Sequence, residues 1–142
     1  MRKTLQLLLA VSLCGCVATT PPPTEPSGSQ HVDPVPVSLA LEEIITAGVR
    51  PHLTSPLAAK FGTILAGERT LNGRQEIVAC GTVNDKRSSG AADHNVPFVA
   101  KIHPDTGNSF ELVAIDDGSP NARLRVADTC REAGLPMPAA AP

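Results

Sequence analysis

The chain has 142 residues, of which 42% are hydrophobic, but its aromatic residues are only three Phe, with no Trp or Tyr. Its formal net charge is −2 and its basic residues form no cluster, which excludes the electrostatic pattern of a nucleic-acid-binding protein. We therefore expect one small domain whose core is built from Val, Ile, Leu and Ala and buries a modest fraction of the surface.

The first fifteen residues have the pattern of a secretory signal. Arg2 and Lys3 precede an apolar run over residues 5–13 that is too short to cross a bilayer as a mature helix. Residues 13–16 then read Leu, Cys, Gly, Cys, a quartet that resembles the lipobox of bacterial lipoproteins. The resemblance implies cleavage after residue 15 and lipidation of Cys16, with a diacylglyceryl group on its thiol and an acyl chain such as palmitate on its amine. Two or more long chains make anchoring effectively permanent.

Cys16 is predicted to carry the lipid because Cys14, the alternative acceptor, fits the lipobox pattern less well. If Cys14 were the acceptor, Leu13 would precede the cut, where a small residue is needed. An ordinary secreted protein with two incidental cysteines in its signal is the other interpretation. Val17 follows Cys16, and the absence of Asp there favours the outer membrane by the sorting rule of enteric bacteria. The predicted location is the outer membrane, with the domain facing the periplasm and the cell surface left open.

Residues 16–37 are predicted to be the lipidated Cys and a Pro-rich stalk. Six prolines lie between residues 17 and 37 among Thr, Ser, Gly and Glu. Polyproline II geometry, at about 3.1 Å per residue, would hold a domain up to about 50 Å from the bilayer. A ligand for an SH3 or WW module is the alternative, but such modules are rare in a bacterial envelope. Loss of residues 1–15, which hold two basic and no acidic side chains, changes the net charge from −2 to −4.

An amphipathic helix is predicted after the stalk. Ser38 is a typical N-cap, and apolar residues recur at helical spacing over residues 41–49 until Pro51 ends the pattern. Ser55 and Pro56 are typical of a second capped turn.

Four strands are predicted next. Asn72 and Gly73 predict a tight type I′ hairpin between the first two, and the second strand is apolar on both faces, as a central strand is. The strand patterns cover residues 61–70, 74–84, 97–103 and 110–116.

A final helix is predicted from Pro120, with Gly134 just past its end. The order helix, four strands, helix predicts an α+β domain over residues 38–135. Its antiparallel sheet of about four strands would be flanked by an N-terminal and a C-terminal helix packed on one face. Residues 136–142 form a Pro- and Ala-rich tail.

Cys80 and Cys130 are predicted to form a disulfide that closes this domain. They are the only cysteines left once Cys16 is lipidated, they fall on apolar faces of their elements, and an exported protein meets an oxidising compartment. In the chain-entropy model the bond would stabilise the fold by about 4 kcal/mol. Two free thiols, redox-active or metal-binding, are the alternative.

Three short motifs carry a second resemblance. Residues 53–61 read LTSPLAAKF, residues 80–86 read CGTVNDK and residues 97–99 read PFV. They are similar to a group of small exported bacterial proteins with DPxSAxF, CGxVNxK and PFV segments, and the similarity spans about half of the chain after residue 15. The group implies no activity. This chain departs from it at Ser55, where Asp is usual, and in the loop at 87–94, which lacks aromatic residues.

The segment after the central strand is the one candidate binding site. Asn84, Lys86 and Arg87 offer an amide and two cations at the mouth of a polar loop. The structural alternative is that Asn84 ends the strand by a backbone hydrogen bond while Lys86 is simply solvated.

Other polar groups are not expected to do chemistry. Metal-ligating types occur at both ends of the third strand, but its length separates them too far for one site. A Ser, His, Asp set falls within one polar loop, where triad geometry is rare. Two adjacent carboxylates are better suited to a turn before the last helix. These three sets are Asp93, His94, His103 and Asp105; Ser88, Ser89, Asp93 and His94; and Asp116 and Asp117.

The sequence therefore predicts a non-enzymatic lipoprotein that needs no cofactor or metal. It would contact the membrane through its N-terminal lipid and a periplasmic protein through its domain, as a binding or assembly component of the envelope. The alternative is a tethered inhibitor of a hydrolase such as a lysozyme or protease.

Overall fold

The computed structural model describes residues 32–85 and 94–136. It is an α+β structure with one five-stranded antiparallel sheet and two helices. The main elements are β1 (Asp33–Val35), α1 (Leu39–Val49), β2 (Lys60–Leu71), β3 (Arg74–Asp85), β4 (His94–His103), β5 (Ser109–Ile115) and α2 (Pro120–Glu132). Short 3₁₀ turns at Arg50–His52 and Pro104–Thr106 follow α1 and β4.

The sheet is a meander in which each strand pairs with the next along the chain, in the order β1-β2-β3-β4-β5. The expected number of four strands is wrong, because Asp33–Val35, inside the segment predicted to be stalk, pairs with Glu68, Gly67 and Ala66 of β2. Pro34 is compatible with this strand because β1 lies at the edge of the sheet, where a missing N–H costs least.

The hairpin between β2 and β3 is confirmed. Asn72 and Gly73 have φ values of 51° and 76°, so both central residues of the turn have the positive φ of type I′. The register from Leu71 opposite Arg74 continues without a shift to Ile64 opposite Gly81.

The two helices pack on opposite faces of the sheet, not on one face as the sequence predicts. Along β3, Ala79 and Val83 lie in the core beneath α1, whereas Val78 and Cys80 lie in the core beneath α2. Alternate residues of a strand point to opposite faces, so a central strand covered by a helix on each side is apolar throughout. The predicted two-sided apolar character of this strand is thus confirmed, and its second cover is a helix.

Helix α1 begins at its predicted cap, Ser38, and α2 begins at the predicted Pro120, behind a cap at Ser119 that was not predicted from the sequence. The Ser38 hydroxyl accepts a hydrogen bond from the Leu41 N–H at 3.2 Å, and the Ser119 hydroxyl accepts one from the Ala122 N–H at 3.3 Å. After α2, the N–H of Gly134 donates to the Arg131 carbonyl and that of Leu135 to the Cys130 carbonyl, both at 2.9 Å. This bond pair is a Schellman motif, and it returns Leu135 to the core beneath α2.

Strand β4 begins at His94, three residues before the predicted start at Pro97. The carbonyl of Pro97 accepts a hydrogen bond from the Asp116 N–H at 2.9 Å, and the nitrogen of a strand residue points to the same side as its carbonyl, so the Pro97 nitrogen faces β5 and not β3. Pro97 therefore removes no hydrogen bond from the ladder with β3, and β5 has already ended at Ile115 on the other side, so Pro97 is tolerated inside a central strand.

The predicted disulfide is confirmed. Cys80 of β3 and Cys130 of α2 are bonded, with their Cα atoms 6.1 Å apart, and both residues are buried. Within residues 32–85 and 94–136, no helix combines the length and the apolar character needed to cross a membrane.

Candidate binding loop and cleft

Asp85, the last residue of β3, holds the loop that leads into β2. Its two carboxylate oxygens accept hydrogen bonds from the backbone N–H groups of Thr54, at 2.8 Å, and Ser55, at 3.0 Å. Asp85 is buried. Hydrogen bonds to an ionised carboxylate are stronger than those between neutral groups, so this contact fixes the loop against the end of the sheet.

The same loop is held at further points. Arg50 donates from Nη1 to the Pro56 carbonyl at 2.7 Å, and its guanidinium lies 5.3 Å from the centre of the Phe61 ring. The side chains of Leu53 and Ala59, on either side of the loop, are buried in the core beneath α1. We call residues 54–58 the apical loop.

Leu57 is the exception in this well-anchored segment, because its side chain is fully exposed (101%). A hydrogen bond from the Ala58 N–H to the Ser55 carbonyl closes a tight turn with Pro56 and Leu57 at its corner. The predicted turn at Ser55 and Pro56 is therefore present. The apical loop holds an apolar side chain in solvent on a fixed backbone.

The predicted binding residues lie next to this loop. Asn84 is half-buried in β3, opposite Lys60 of β2 and Asn95 of β4. Lys86 and Arg87 lie outside the described residues. Sequence reasoning missed Asp85 between them, because its role depends on contact with residues about thirty positions earlier in the chain.

A half-open cleft lies at the opposite end of the sheet, at the β2–β3 hairpin. Its volume is about 420 Å³, and it is lined by Leu71, Asn72, Arg74, Gln75, Glu76 and His103. The N–H of Gln75, one of these lining residues, donates a hydrogen bond to the Asp105 carboxylate at 2.8 Å. Strand length places the cleft roughly 35 Å from the apical loop.

Glu76 forms a buried ion-pair network on the wall of the cleft. Its Oε1 accepts hydrogen bonds from Arg69 Nε at 2.9 Å and Nη2 at 2.6 Å, and its Oε2 lies 3.4 Å from Lys101 Nζ. Burial raises the pKa of Glu76, but the Arg69 hydrogen bonds and the two positive charges outweigh it, so the pKa falls below its ordinary value. Glu76 therefore remains ionised at neutral pH.

The adjacent carboxylates before α2 serve the turn, as predicted. One Asp116 oxygen accepts a hydrogen bond from the Gly118 N–H at 2.9 Å and the other from Arg123 Nε at 3.1 Å. Asp117 accepts one from the Ser119 N–H at 2.8 Å. These contacts build the turn and the start of the helix.

The histidines considered as metal ligands stand apart. His94 and His103 are the first and last residues of β4, and Asp93 lies outside the described residues. His103 Nε2 instead lies 3.3 Å from a Glu111 oxygen on β5. In the part of the chain that the structure describes, no group of three or more His, Cys, Asp or Glu side chains could hold a metal ion.

Comparisons of the chain with family models, with curated proteins and with solved structures gave no match.

Proposed function

We propose that this protein is an exported, lipid-anchored and non-enzymatic binding component of the bacterial envelope. The observation that carries the non-enzymatic part is the state of its buried carboxylates. Glu76, Asp85 and Asp116 are the buried acidic residues in the described ranges, and each is engaged by protein donors. A general acid or base must exchange a proton with its substrate, and carboxylates held in structural bonds are poorly placed to do so.

The location rests on two features of the cysteines. Residues 13–16 have the lipobox pattern, with Cys16 as the acceptor. Cys80 and Cys130 form a buried disulfide, and structural disulfides are typical of exported proteins. The outer membrane is the proposed site of the anchor because Asp does not follow Cys16.

The cleft is the surface at which we expect a periplasmic protein to bind. It combines an apolar side chain, Leu71, with the planar polar groups of Arg74 and His103. Arg is enriched at binding hot spots because its guanidinium makes directional hydrogen bonds along with apolar contact.

The anchor is tested by metabolic labelling with radioactive palmitate. Cys16→Ser should abolish the label and release the protein from the membrane fraction, whereas Cys14→Ser should leave both unchanged. Label that persists in the Cys16 variant and disappears from the Cys14 variant would refute the assignment.

The partner is tested by cross-linking in intact cells followed by purification of the lipidated protein. Arg74→Glu should weaken stoichiometric cross-links, whereas Arg125→Glu, an exposed change of the same kind on α2, should not. Equal yields from the two variants would exclude the cleft. If the protein instead captures and inhibits an added lysozyme or protease, the inhibitor function replaces the assembly function.

A further inference from the structure

We propose that the apical loop is a second membrane contact, in which Leu57 inserts into the headgroup region of an anionic bilayer and nearby basic side chains contact lipid phosphates. The inference rests on the proposed function for one point only, that a bilayer is near.

The first argument is that Leu57 is exposed on a loop whose backbone is already fixed. Its side chain lies in solvent and not in the core, and the Asp85 carboxylate and Arg50 hold the loop by hydrogen bonds. A fixed loop loses little conformational entropy on binding, so burial of its exposed side chain contributes to affinity with little offset.

The second argument is charge. From Ile44 to Gly67 the sequence holds the cations Arg50 and Lys60 and no acidic residue, although the chain after residue 15 is net acidic. Lys60 is exposed. The Asp85 carboxylate approaches this region from β3, but it is buried and both its oxygens bond the loop backbone. An anionic surface therefore attracts this end of the domain more than the rest of it.

The surroundings of Leu57 favour a lipid surface over a pocket in a protein. Thr54 and Lys60, three residues before and after it in the chain, are exposed and polar, and its direct neighbours Pro56 and Ala58 are small, so Leu57 is the one large apolar side chain exposed in the apical loop. Interfacial membrane contacts combine apolar side chains below the headgroups with Lys or Arg at their level. Protein hot spots, by contrast, are enriched in Trp, Tyr and Arg and depleted in Leu.

Such a contact is weak alone and effective on a tether. Burial of one Leu and proximity of one Lys to anionic lipid each change partitioning by about fivefold to tenfold or more. A short tether supplies an effective concentration in the millimolar range, at which a contact of this strength is populated. The apical loop would then orient the domain, with the cleft at the far end of the sheet directed away from the bilayer.

The test uses the absence of Trp from the chain. Leu57→Trp places one fluorophore at the tip of the apical loop, and Leu39→Trp places one at a second exposed leucine (86%), just after the Ser38 cap of α1. Both changes are made in the exported chain carrying Cys16→Ser, which has no lipid of its own. Each protein is titrated with vesicles of phosphatidylglycerol and phosphatidylcholine, and with phosphatidylcholine vesicles alone. Circular dichroism and thiol titration check that both variants fold with the disulfide closed.

We expect blue-shifted emission, quenched by brominated lipid, for Leu57→Trp with anionic vesicles and none for Leu39→Trp. In a sedimentation assay, Leu57→Ser should reduce binding about tenfold and Lys60→Gln about fivefold. No shift at position 57, or equal shifts at both positions, would overturn the inference. Loss of protein cross-links from Leu57→Ser without any vesicle binding would assign the loop to a protein partner instead. None of these outcomes tests whether Cys16 carries palmitate. Lipidation of Cys16 and membrane contact by the apical loop are therefore refuted by different experiments.

Discussion

The two faces of the sheet are covered by helices of similar length but held together by different means. The core beneath α1 contains or contacts all three Phe, together with Ile45, Val49 and Ile102. The core beneath α2 is smaller and its buried side chains are Val78, Cys80, Val99, Val126, Cys130, Ala133 and Leu135. One face is closed by large apolar groups, and the other by small ones with a covalent bond. Because the domain has few aromatic residues, it buries little apolar surface beneath α2, and the disulfide supplies stability that this burial does not.

Phe98→Ala should have the largest effect, because it removes the centre of the α1 face. Phe98 is fully buried and its ring meets that of Phe61 edge-on, with centroids 6.1 Å apart. We expect a loss of about 3–5 kcal/mol in the free energy of unfolding, measured by urea denaturation. Val99→Ala, at the adjacent buried residue on the α2 face, removes fewer atoms and should cost less. Equal losses would mean that the Phe98 ring does not hold the α1 face as described.

Cys80→Ala and Cys130→Ala test the α2 face. Each should destabilise the fold by about 2–5 kcal/mol, and the double variant should be no worse than either single one because the same bond is lost. The thiols are titrated in periplasmic protein that has been denatured without reduction. Two free thiols would show that no disulfide closes the α2 face.

Glu76→Gln tests the polar part of the α2 face and should cost about 1–3 kcal/mol at pH 7, since Arg69 and Lys101 lose their buried partner. The pKa of Glu76 is lowered in the folded protein from its ordinary value of 4.5. A depressed folded-state pKa stabilises the fold above the unfolded pKa, and this stabilisation is lost as the pH falls through the folded value. The difference between wild type and variant should therefore be complete at neutral pH and shrink below about pH 4.

Gly48→Ala should have the smallest effect and should act on the α1 face alone. A Cβ at this position would overlap the Phe110 ring, so the helix or the ring must move. Overpacking should outweigh the gain in helix propensity and leave a net loss of about 1–2 kcal/mol by thermal or urea unfolding. Ala47→Gly at the exposed neighbouring position measures the propensity contribution by itself. A stabilised Gly48→Ala protein would show that α1 is packed less closely than described.

Features set by neighbouring residues could be predicted from the sequence. The cap at Ser38 and the turn at Asn72 and Gly73 depend on local backbone chemistry, which the residue types indicate directly. The disulfide could be predicted from the number of cysteines and from the oxidising compartment that an exported protein reaches, without knowledge of the fold.

Features set by distant residues could not be predicted. The pairing of Asp33–Val35 could not be predicted because Pro34 lies within this strand and Pro36 follows it, and a strand tolerates Pro mainly at a sheet edge, which the sequence does not reveal. The side on which each helix packs depends on strand order. The hydrogen bonds between Asp85 and the apical loop, and the cleft beside Glu76, form only when β2, β3 and β4 pair in the folded sheet.

The short edge strand β1 also has a mechanical consequence. It joins the sheet through three residues, whereas the remaining strands are seven to twelve residues long. A pulling force that arrives along the chain from the N-terminal side reaches β1 before any other described element. Its few pairings should yield first and release residues 33 to 38 from the sheet, a segment that spans up to about 20 Å. Strand β1 should therefore detach from the edge of the sheet at a lower force than the other strands, and the rest of the sheet, closed by the disulfide, should keep its fold.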